Sequence, residues 1–361
     1  MDRIKILHCA DLHIGAELST LGRIADVRRA EILHTLGRIT DECKNRGCEL
    51  LLIAGDLFDS NAVSKESVDT VRSYLASIPE TAVAIVPGNH DYLSADSPYR
   101  EDWSENVHIF KEPGHFDIKG VRVHGIPFTG AFSEQCTLPK ATPDMLNILL
   151  LHADLDRGPY NPITPQMLQE TGMDYVALGH IHKSTPVLRA GFVSYAYPGC
   201  PEPLGFDETG SKGVLTGTVL AGRTELEFLP LCSREYTELH INMNRAADNG
   251  AALKIAKDEL KGQESNLVKL VLDGECDFTP DTAFMNLGLE DSVYYLKVLD
   301  RTRPRENFEL LTGEQTLKGI FVRRMLERIE KSEEHEKQEL LNALRLGLAA
   351  FNAREVGYGD N

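Results

Sequence analysis

Short apolar runs alternate with stretches of helical periodicity through the first half of the chain. The runs of strand length are residues 4–10, 50–54, 82–86, 107–110, 121–126, 148–151 and 175–178. Between the first two runs, residues 24–46 repeat apolar side chains at helical spacing, and Gly47 ends that pattern. Because alternating strands and helices are typical of an α/β fold, we expect helices packed on a mixed or parallel sheet.

The pattern changes after residue 192, where short strands and tight turns replace the helices. Residues 214–220 and 224–229 are joined through Ala221 and Gly222, which indicates a hairpin at the far edge of the sheet. Beyond Arg234 the order becomes strand, helix, strand, short helix and strand, at residues 236–241, 251–260, 267–272, 281–287 and 293–298. This order predicts a small, separate α+β domain.

The last part of the chain has no strand signal and carries two apolar stripes at helical spacing. The stripes are Leu317, Ile320, Phe321, Met325 and Ile329, followed by Leu340, Leu341, Leu344 and Leu348. Two amphipathic helices are therefore expected, which either dock a partner or pack back on their own domain. We divide the chain into a large α/β domain at residues 1–232, an α+β domain at 235–305 and a helical segment at 313–354.

Composition narrows the class of protein. No stretch approaches the roughly 20 apolar residues of a membrane helix, and the first residues lack the apolar core of a secretion signal. The seven cysteines include no C-x-x-C pair, which favours reduced, packing thiols in the cytoplasm. The formal net charge of −17 opposes unaided binding to the nucleic-acid backbone, because phosphates are usually bound by clustered Lys and Arg.

Side chains that can bind metal ions follow the predicted strands one after another. They are Asp11, His13, Asp56, Asn89, His90, His152, His180 and His182. A lone histidine at a strand end is more often a hydrogen-bonded residue than a ligand. Here a side chain that can bind a metal ion follows a predicted strand five times in chain order. Open α/β sheets place their sites at the carboxyl ends of strands. We therefore expect these side chains to form one site.

The residue types suit a pair of divalent cations about 3.5–4 Å apart, bridged by a carboxylate, that activate a nucleophile and neutralise a phosphoryl oxygen. Asp56 is the natural bridge. One cation is assigned to Asp11, His13 and His182, and the other to Asn89, His152 and His180. Because nitrogen and oxygen ligands occur without thiolate, manganese, iron or zinc is favoured over magnesium or calcium.

His90 has no metal in this assignment. It can protonate the leaving alkoxide as a general acid. A carboxylate that fixes its tautomer would complete the pair, and Asp59 is preferred over Asp91 for that role. The alternative for Asp59 is a helix N-cap before Ser60.

The order D-x-H, G-D, G-N-H-D, H and G-H-x-H resembles that of the calcineurin-like metallophosphoesterases over residues 1 to about 230. The stretches at residues 55–59 and 197–208 are similar to those of SbcD-type nucleases of DNA double-strand-break repair, and in particular of the bacterial YhaO group. The resemblance implies a metallophosphoesterase sandwich with a small capping domain, the seven metal ligands assigned above and His90 as the acid. It also implies manganese as the cofactor, exonuclease or endonuclease action on DNA, and a C-terminal helical segment that docks on an SbcC-type coiled-coil ATPase.

Two departures from related proteins bear on the function. Archaeal and eukaryotic relatives often have a histidine in place of Asp59, a residue linked there to guiding the DNA end. Protein phosphatases of the superfamily would have Arg and Glu where Ser60 and Asp91 stand, so that class is disfavoured.

Three functions remain open from the sequence. The first is a DNA nuclease subunit that takes part in DNA repair or end processing. The second is a small-molecule or cyclic-nucleotide phosphodiesterase, which the acidic composition suits. The third is a non-catalytic interaction subunit of a coiled-coil ATPase complex, although no ligand position has been lost. The oligomeric state is also open, with a homodimer as one option.

Overall fold

A computed structural model describes residues 3–155, 158–305 and 308–351 of the chain. Its strands are β1 (Arg3–Cys9), β2 (Leu50–Ala54), β3 (Ala82–Val86), β4 (Val107–Ile109), β5 (Gly114–Ile118), β6 (Val121–Ile126), β7 (Leu146–His152), β8 (Tyr175–Gly179), β9 (Leu188–Ala190), β10 (Val193–Ala196), β11 (Gly213–Leu220), β12 (Arg223–Pro230), β13 (Tyr236–Asn242), β14 (Leu267–Asp273), β15 (Glu275–Cys276), β16 (Tyr295–Asp300) and β17 (Arg303–Pro304). Its helices are α1 (Ala25–Arg46), α2 (Lys65–Ala76), α3 (Pro165–Thr171), α4 (Asn249–Glu259), α5 (Thr282–Leu289), α6 (Phe308–Gly313), α7 (Leu317–Lys331) and α8 (Glu334–Phe351).

Two six-stranded sheets form the centre of the fold. The first has the order β12-β11-β1-β2-β3-β4, in which β1 to β4 are parallel and β11 runs antiparallel to β1. The second has the order β5-β6-β7-β8-β10-β9, with a parallel centre and antiparallel edges. Both sheets are mixed, and the predicted hairpin β11–β12 lies at the edge of the first sheet.

The two sheets pack face to face between outer helices. Ile6 and Leu52 from the first sheet share a buried core with Ile148 and Leu150 from the second. Helices α1 and α2 cover the outer face of the first sheet, and α3 covers that of the second. All five residues of β2 are buried, as expected for a strand that is covered on both faces. The predicted layered α/β sandwich is confirmed.

The carboxyl ends of the central strands meet at one edge of this sandwich. A Cβ atom added at Gly179, where β8 ends, would lie 1.8 Å from the carbonyl oxygen of Ala54, where β2 ends. The backbone N–H of Asp11 donates to the Gly55 carbonyl at 3.1 Å, which joins the loops after β1 and β2. The loops after β1 and β2 are therefore joined by a backbone hydrogen bond, and the end of β8 lies against the end of β2.

A three-stranded parallel sheet of β13, β14 and β16 follows, with α4 and α5 packed against it. The order of its elements is the one predicted for residues 236–298, although each element is shifted or extended by one or two residues. The short β15–β17 pair was not predicted, because two-residue strands leave no periodicity to detect.

The helical segment begins earlier than predicted. Helix α6 begins at Phe308, five residues before the predicted start, and its Leu311 packs with Val322 of α7 and with Leu344 and Leu348 of α8. The apolar stripes thus pack largely against one another. Residues 352–354, which the prediction included, lie outside the described part of the chain. Within that part, none of the helices combines the length and apolar composition that crossing a bilayer requires.

Candidate metal centre

Unusual backbone conformations mark the ends of the central strands. Asp11, His13, Asp56 and His180 have φ angles of 55°, 47°, 49° and 103°. Residues with a Cβ atom rarely adopt positive φ, and each such residue costs on the order of 1–3 kcal/mol unless its surroundings hold it. Four predicted site residues therefore occupy strained positions at one edge of the fold.

Two glycines let the loops come close enough to form the site. A Cβ atom at Gly88 would lie 2.1 Å from Asp56 Oδ1. A Cβ atom at Gly55, whose φ is 91°, would lie 2.3 Å from His152 Nδ1. Both positions require glycine for close approach, and Gly55 also requires it for its conformation.

The first predicted ligand group comes together around His13. His13 Nε2 lies 3.2 Å from His182 Nε2 and 3.8 Å from Asp56 Oδ2. Ligand atoms of Asp11, His13 and His182 all lie within 4.8 Å of one another. A single ion could therefore contact Asp11, His13 and His182 together.

The second group comes together around His152. Its Nε2 lies 2.9 Å from Asn89 Oδ1 and 3.3 Å from Asp56 Oδ2. The His180 ring packs edge-on against the His152 ring, with centroids 5.2 Å apart. Asp56 is near both groups, which is the position that a bridging carboxylate needs.

The tautomers of three histidines are fixed by acceptors at Nδ1. His152 Nδ1 donates to the Ala54 carbonyl at 2.9 Å, and His13 Nδ1 pairs with Asp59 Oδ1 at 3.1 Å. His182 Nδ1 is hydrogen-bonded to the Glu208 carboxylate. With the proton at Nδ1, each Nε2 presents a lone pair to the site. Metal-binding histidines are commonly oriented in this way by a carboxylate or a carbonyl.

The prediction for the Asp59 carboxylate is wrong about its partner. The carboxylate pairs with His13, whereas His90 Nδ1 lies 3.1 Å from the backbone carbonyl of Asp59. The cause is the path of the loop, because the Asp59 N–H donates to the Ile14 carbonyl and so holds this residue beside the loop that carries His13. Asp59 still fixes the His90 tautomer, but it does so through its main chain.

Asp91 is a structural residue of the loop after β3. It is fully buried and accepts hydrogen bonds from the backbone N–H groups of Phe58 and Gly88, at 3.0 and 2.7 Å, and from the Tyr99 hydroxyl. Burial raises the pKa of Asp91 to about 6, with the nearby Asp56 charge acting in the same direction. Its position explains why it does not orient His90.

Glu208 is a site residue that the sequence analysis did not identify. One of its oxygens binds His182 Nδ1, and the other accepts from the Leu204 N–H at 2.8 Å and contacts Cys200 Sγ at 3.4 Å. The signal in the sequence was an acid at the end of the Pro- and Gly-rich stretch at residues 198–208, from which the sequence analysis named no site residue. The Cys200 thiol thus supports this carboxylate.

The same loop is anchored by a buried ion cluster. Glu202, 1% exposed, accepts hydrogen bonds from Arg28 at 3.1 Å, from Arg38 at 2.7 Å and from Thr35 at 2.7 Å. These three partners lie on α1. The backbone N–H of Ser233, just before the third sheet, also donates to Glu202 at 2.5 Å. The cluster therefore joins α1, the loop of Glu208 and the start of the predicted capping domain.

Burial and charge shift the pKa values of the central groups. Burial alone would lower the pKa of His152, but the carboxylates of Asp56 and Asp11 outweigh it and raise this pKa to about 9. Burial likewise opposes ionisation of Asp56, but His152 and His13 hold its pKa well below the usual range. Burial lowers the pKa of His180 to about 4, which keeps this ring neutral. The two buried acids thus attract positive charge to the site, whether as a proton on His152 or as a bound cation.

The donor set fits divalent cations. Asp11 and Asp56 are buried carboxylates, and the Nε2 lone pairs of His13, His152 and His182 converge beside them. Such a cluster is stabilised by positive charge, and its mixed nitrogen and oxygen donors suit manganese, iron or zinc. All seven predicted ligand positions lie at this one edge of the sandwich, although their roles as ligands remain a prediction.

Comparison with known proteins agrees with this arrangement. The family model of the calcineurin-like phosphoesterases matches residues 4–184. A Bacillus subtilis protein described as the uncharacterized metallophosphoesterase YhaO is 27% identical over 296 residues, which cover 75% of this chain and 72% of that protein. The DNA double-strand break repair protein Mre11 of Methanopyrus kandleri is 25% identical over 316 residues, covering 76% of this chain and 69% of its own.

A second Mre11 protein, from Aeropyrum pernix, is 29% identical over 237 residues, which cover 58% of this chain and 56% of that protein. The matched family region spans half of the chain and contains β1 to β8 with the loops that follow them. The fold, the converging donors and the family match agree, and the chain belongs to the calcineurin-like phosphoesterases.

Proposed function

We propose that this chain is a metal-dependent DNA nuclease subunit that hydrolyses phosphodiesters at a two-metal site, with manganese as the cofactor, in cytoplasmic DNA repair or end processing. The observation that carries the phosphodiesterase part is the convergence of two histidine groups on the shared carboxylate of Asp56. The names of the two Mre11 relatives support DNA as the substrate.

Divalent cations held by such a donor set polarise a phosphoryl oxygen and lower the pKa of water. Asp11, His13, Asp56 and His182 would hold one cation, and Asp56, Asn89, His152 and His180 would hold the other. The Nδ1 contacts of His13, His152 and His182 pre-orient the rings, so little reorganisation is needed on binding. The protein thus contributes a pre-oriented set of carboxylate and imidazole donors for positive charge.

His90 is the residue suited to proton transfer in this mechanism. It is exposed, its ring centroid lies 4.7 Å from that of His13, and its backbone N–H donates to Asp56 Oδ1 at 2.9 Å. Its Nδ1–H faces the Asp59 carbonyl, so in the imidazolium form Nε2 carries the proton that is donated to the leaving oxygen. A general acid must be near the cations and open to substrate, and His90 meets both requirements.

We further propose that helices α6 to α8 dock on an SbcC-type coiled-coil ATPase. Their apolar stripes pack together, yet Leu310 and Leu317 remain 68% and 73% exposed. A basic partner would also offset the net charge of −17, which by itself opposes DNA binding. Removal of residues 308–361 is expected to abolish capture of the ATPase in a pull-down, and unchanged capture would refute the docking role.

A second candidate is a small-molecule or cyclic-nucleotide phosphodiesterase. The acidic net charge favours it, because a small ester needs no extended basic surface. The two candidates share the same site and differ only in the substrate that reaches it.

Cleavage assays separate these candidates. Purified protein with Mn²⁺ is incubated with end-labelled duplex and single-stranded DNA, with and without the ATPase, and in parallel with cyclic nucleotides. DNA cleavage by wild type that is lost in His90→Gln supports the nuclease function. Hydrolysis of cyclic nucleotides far faster than DNA would favour the second candidate, and no hydrolysis of any ester would leave only a non-catalytic interaction subunit.

A further inference from the structure

An exposed aromatic side chain lies beside the candidate metal centre. Phe132 is 66% exposed, and its ring lies 5.7 Å from that of Tyr160, at an interplanar angle of 34°. Tyr160 in turn lies 4.8 Å from the ring of His180, at 39°. These tilted rings form a continuous path from solvent to a predicted metal ligand.

Backbone hydrogen bonds hold the two aromatic residues in place. The Ser133 N–H donates to the Pro159 carbonyl at 2.7 Å, and the Asn161 N–H donates to the Ser133 carbonyl at 2.8 Å. These bonds join the segment after Phe132 to the segment that contains Tyr160. The Asn161 side-chain amide also donates to the His152 carbonyl at 3.0 Å. The pair is thus tied to a residue of the metal centre.

The chemistry of this surface suits a flat ring more than a phosphate. Aromatic side chains stack on nucleobases with about 1–3 kcal/mol per base, and this stacking tolerates any base because every base has a π-face. The net charge of −17 makes a grip based only on phosphates unfavourable. Exposed aromatic area next to the site therefore offers an attraction that does not depend on positive charge.

We propose that Phe132 and Tyr160 form a stacking shelf for the nucleobase adjoining the phosphodiester that is cut. The proposal rests on the proposed function, because it concerns the substrate of the same site. A base that stacks there must be unpaired, so the shelf selects single strands, frayed ends or free nucleotides over intact duplex. Stacking is much less screened by salt than ion pairing.

The test uses abasic DNA. Single-stranded oligonucleotides carry either normal bases or one abasic site, placed in turn at each position around the cleaved bond, and KM and kcat are measured with Mn²⁺. Wild type is expected to show a KM at least about fivefold higher for one abasic position. Phe132→Ala should raise KM for normal DNA to a similar degree and show no further effect of that abasic site.

Two further variants exclude a general structural effect. Phe132→Trp retains a large ring, so it should keep a low KM, and its fluorescence should be quenched by bound bases. Phe192→Ala is the matched control, because Phe192 is 89% exposed but lies away from the site. It precedes β10, whose Ser194 pairs with Tyr175 at the start of β8, and His180 follows the other end of β8. Its kinetics should match wild type, and thermal melting should show all variants folded.

The outcomes separate the shelf from the nuclease function. If wild type cuts DNA but Phe132→Ala changes neither KM nor the abasic effect, the shelf is refuted while the nuclease stands. If DNA is not cut, a cyclic nucleotide serves as the probe, and a KM that rises at least about fivefold in Phe132→Ala assigns the shelf to a free base. If wild type and Phe132→Ala have equal KM values for the cyclic nucleotide, the shelf is refuted for bases of DNA and of free nucleotides alike.

Discussion

His13 Nε2 and His182 Nε2 face each other at 3.2 Å, although 169 positions separate them in the chain. Each ring has a carboxylate at Nδ1, Asp59 for His13 and Glu208 for His182. With the protons held at Nδ1, two lone pairs point at one another, which is unfavourable unless positive charge lies between them. A cation held between the two rings, as in the proposed metal site, would remove this unfavourable contact.

Metal removal should therefore destabilise the protein. A ligand at a hundred times its Kd stabilises the folded state by about 2.7 kcal/mol. For a domain of this size we expect chelation to lower Tm by about 5–10 °C, and Mn²⁺ to restore it. Scanning calorimetry with elemental analysis measures both the shift and the metal content.

The control for this experiment is a histidine far from the site. His182→Ala should lose part of the metal and much of the Tm response, whereas His335→Ala on α8, with its side chain 77% exposed, should behave like wild type. A metal-free wild type whose Tm ignores both chelator and Mn²⁺ would contradict the assignment.

Glu208→Gln tests the positioning of His182. An amide can present either an oxygen or an NH₂ group and carries no charge, so the orientation and basicity of the ring suffer. Loss of such an outer partner typically weakens metal affinity by about 10–100-fold. Mn²⁺ titration followed by calorimetry should show one weakened site and one nearly unchanged site.

Asp207→Asn is the matched control for Glu208, because Asp207 is an exposed acid one position earlier in the same loop. Its metal affinity should equal that of wild type. Equal affinities for Glu208→Gln and wild type would mean that the contact with His182 has no part in holding the cation.

The His90→Gln variant separates acid catalysis from metal binding. The Asp56 contact of His90 comes from its backbone N–H and survives the substitution, so metal content should be retained. Removal of a general acid typically costs about 10²–10⁴-fold in rate. Single-turnover cleavage measures the rate, and a variant that loses its metal would show that the ring has a structural role instead.

The sequence predicted the location of this site better than its internal contacts. Asp11, Asp56 and His152 could be found because each follows or closes an apolar run, and parallel strands bring their carboxyl ends to one edge. Nothing in the periodicity relates Glu208 to His182, because the irregular loop after β10 sets that contact. The partner of Asp59 likewise depends on a loop path that residue spacing does not encode.

Asp59→Asn can be distinguished from His90→Gln by the leaving group. If Asp59 orients His13, the variant should weaken metal binding and slow good and poor leaving groups by similar factors. Loss of the acid His90 should slow poor leaving groups most, because good ones depart without a proton. The measurement is kcat/KM for a series of aryl phosphodiesters with each variant. A leaving-group dependence in Asp59→Asn equal to that of His90→Gln would restore the role first predicted for the carboxylate.

The buried cluster around Glu202 yields a prediction on stability rather than on chemistry. In Glu202→Ala, Glu31 is the one ionic partner that the described residues leave to the fully buried guanidinium of Arg28, and the Ser233 N–H loses its acceptor. Removing one partner of a buried ion pair costs about 3–5 kcal/mol of stability. Because the Glu31 contact remains, we expect the free energy of unfolding to fall by about 3 kcal/mol.

Urea denaturation measures this loss as a lower midpoint at an unchanged slope. The matched control is Asp258→Ala, which removes the exposed pair with Lys261 and should leave the urea midpoint nearly unchanged. Because the cluster also anchors the loop of Glu208, Glu202→Ala should weaken Mn²⁺ binding even under conditions where the protein is fully folded. A destabilised variant with unchanged Mn²⁺ affinity would show that the loop keeps Glu208 in place without its anchor.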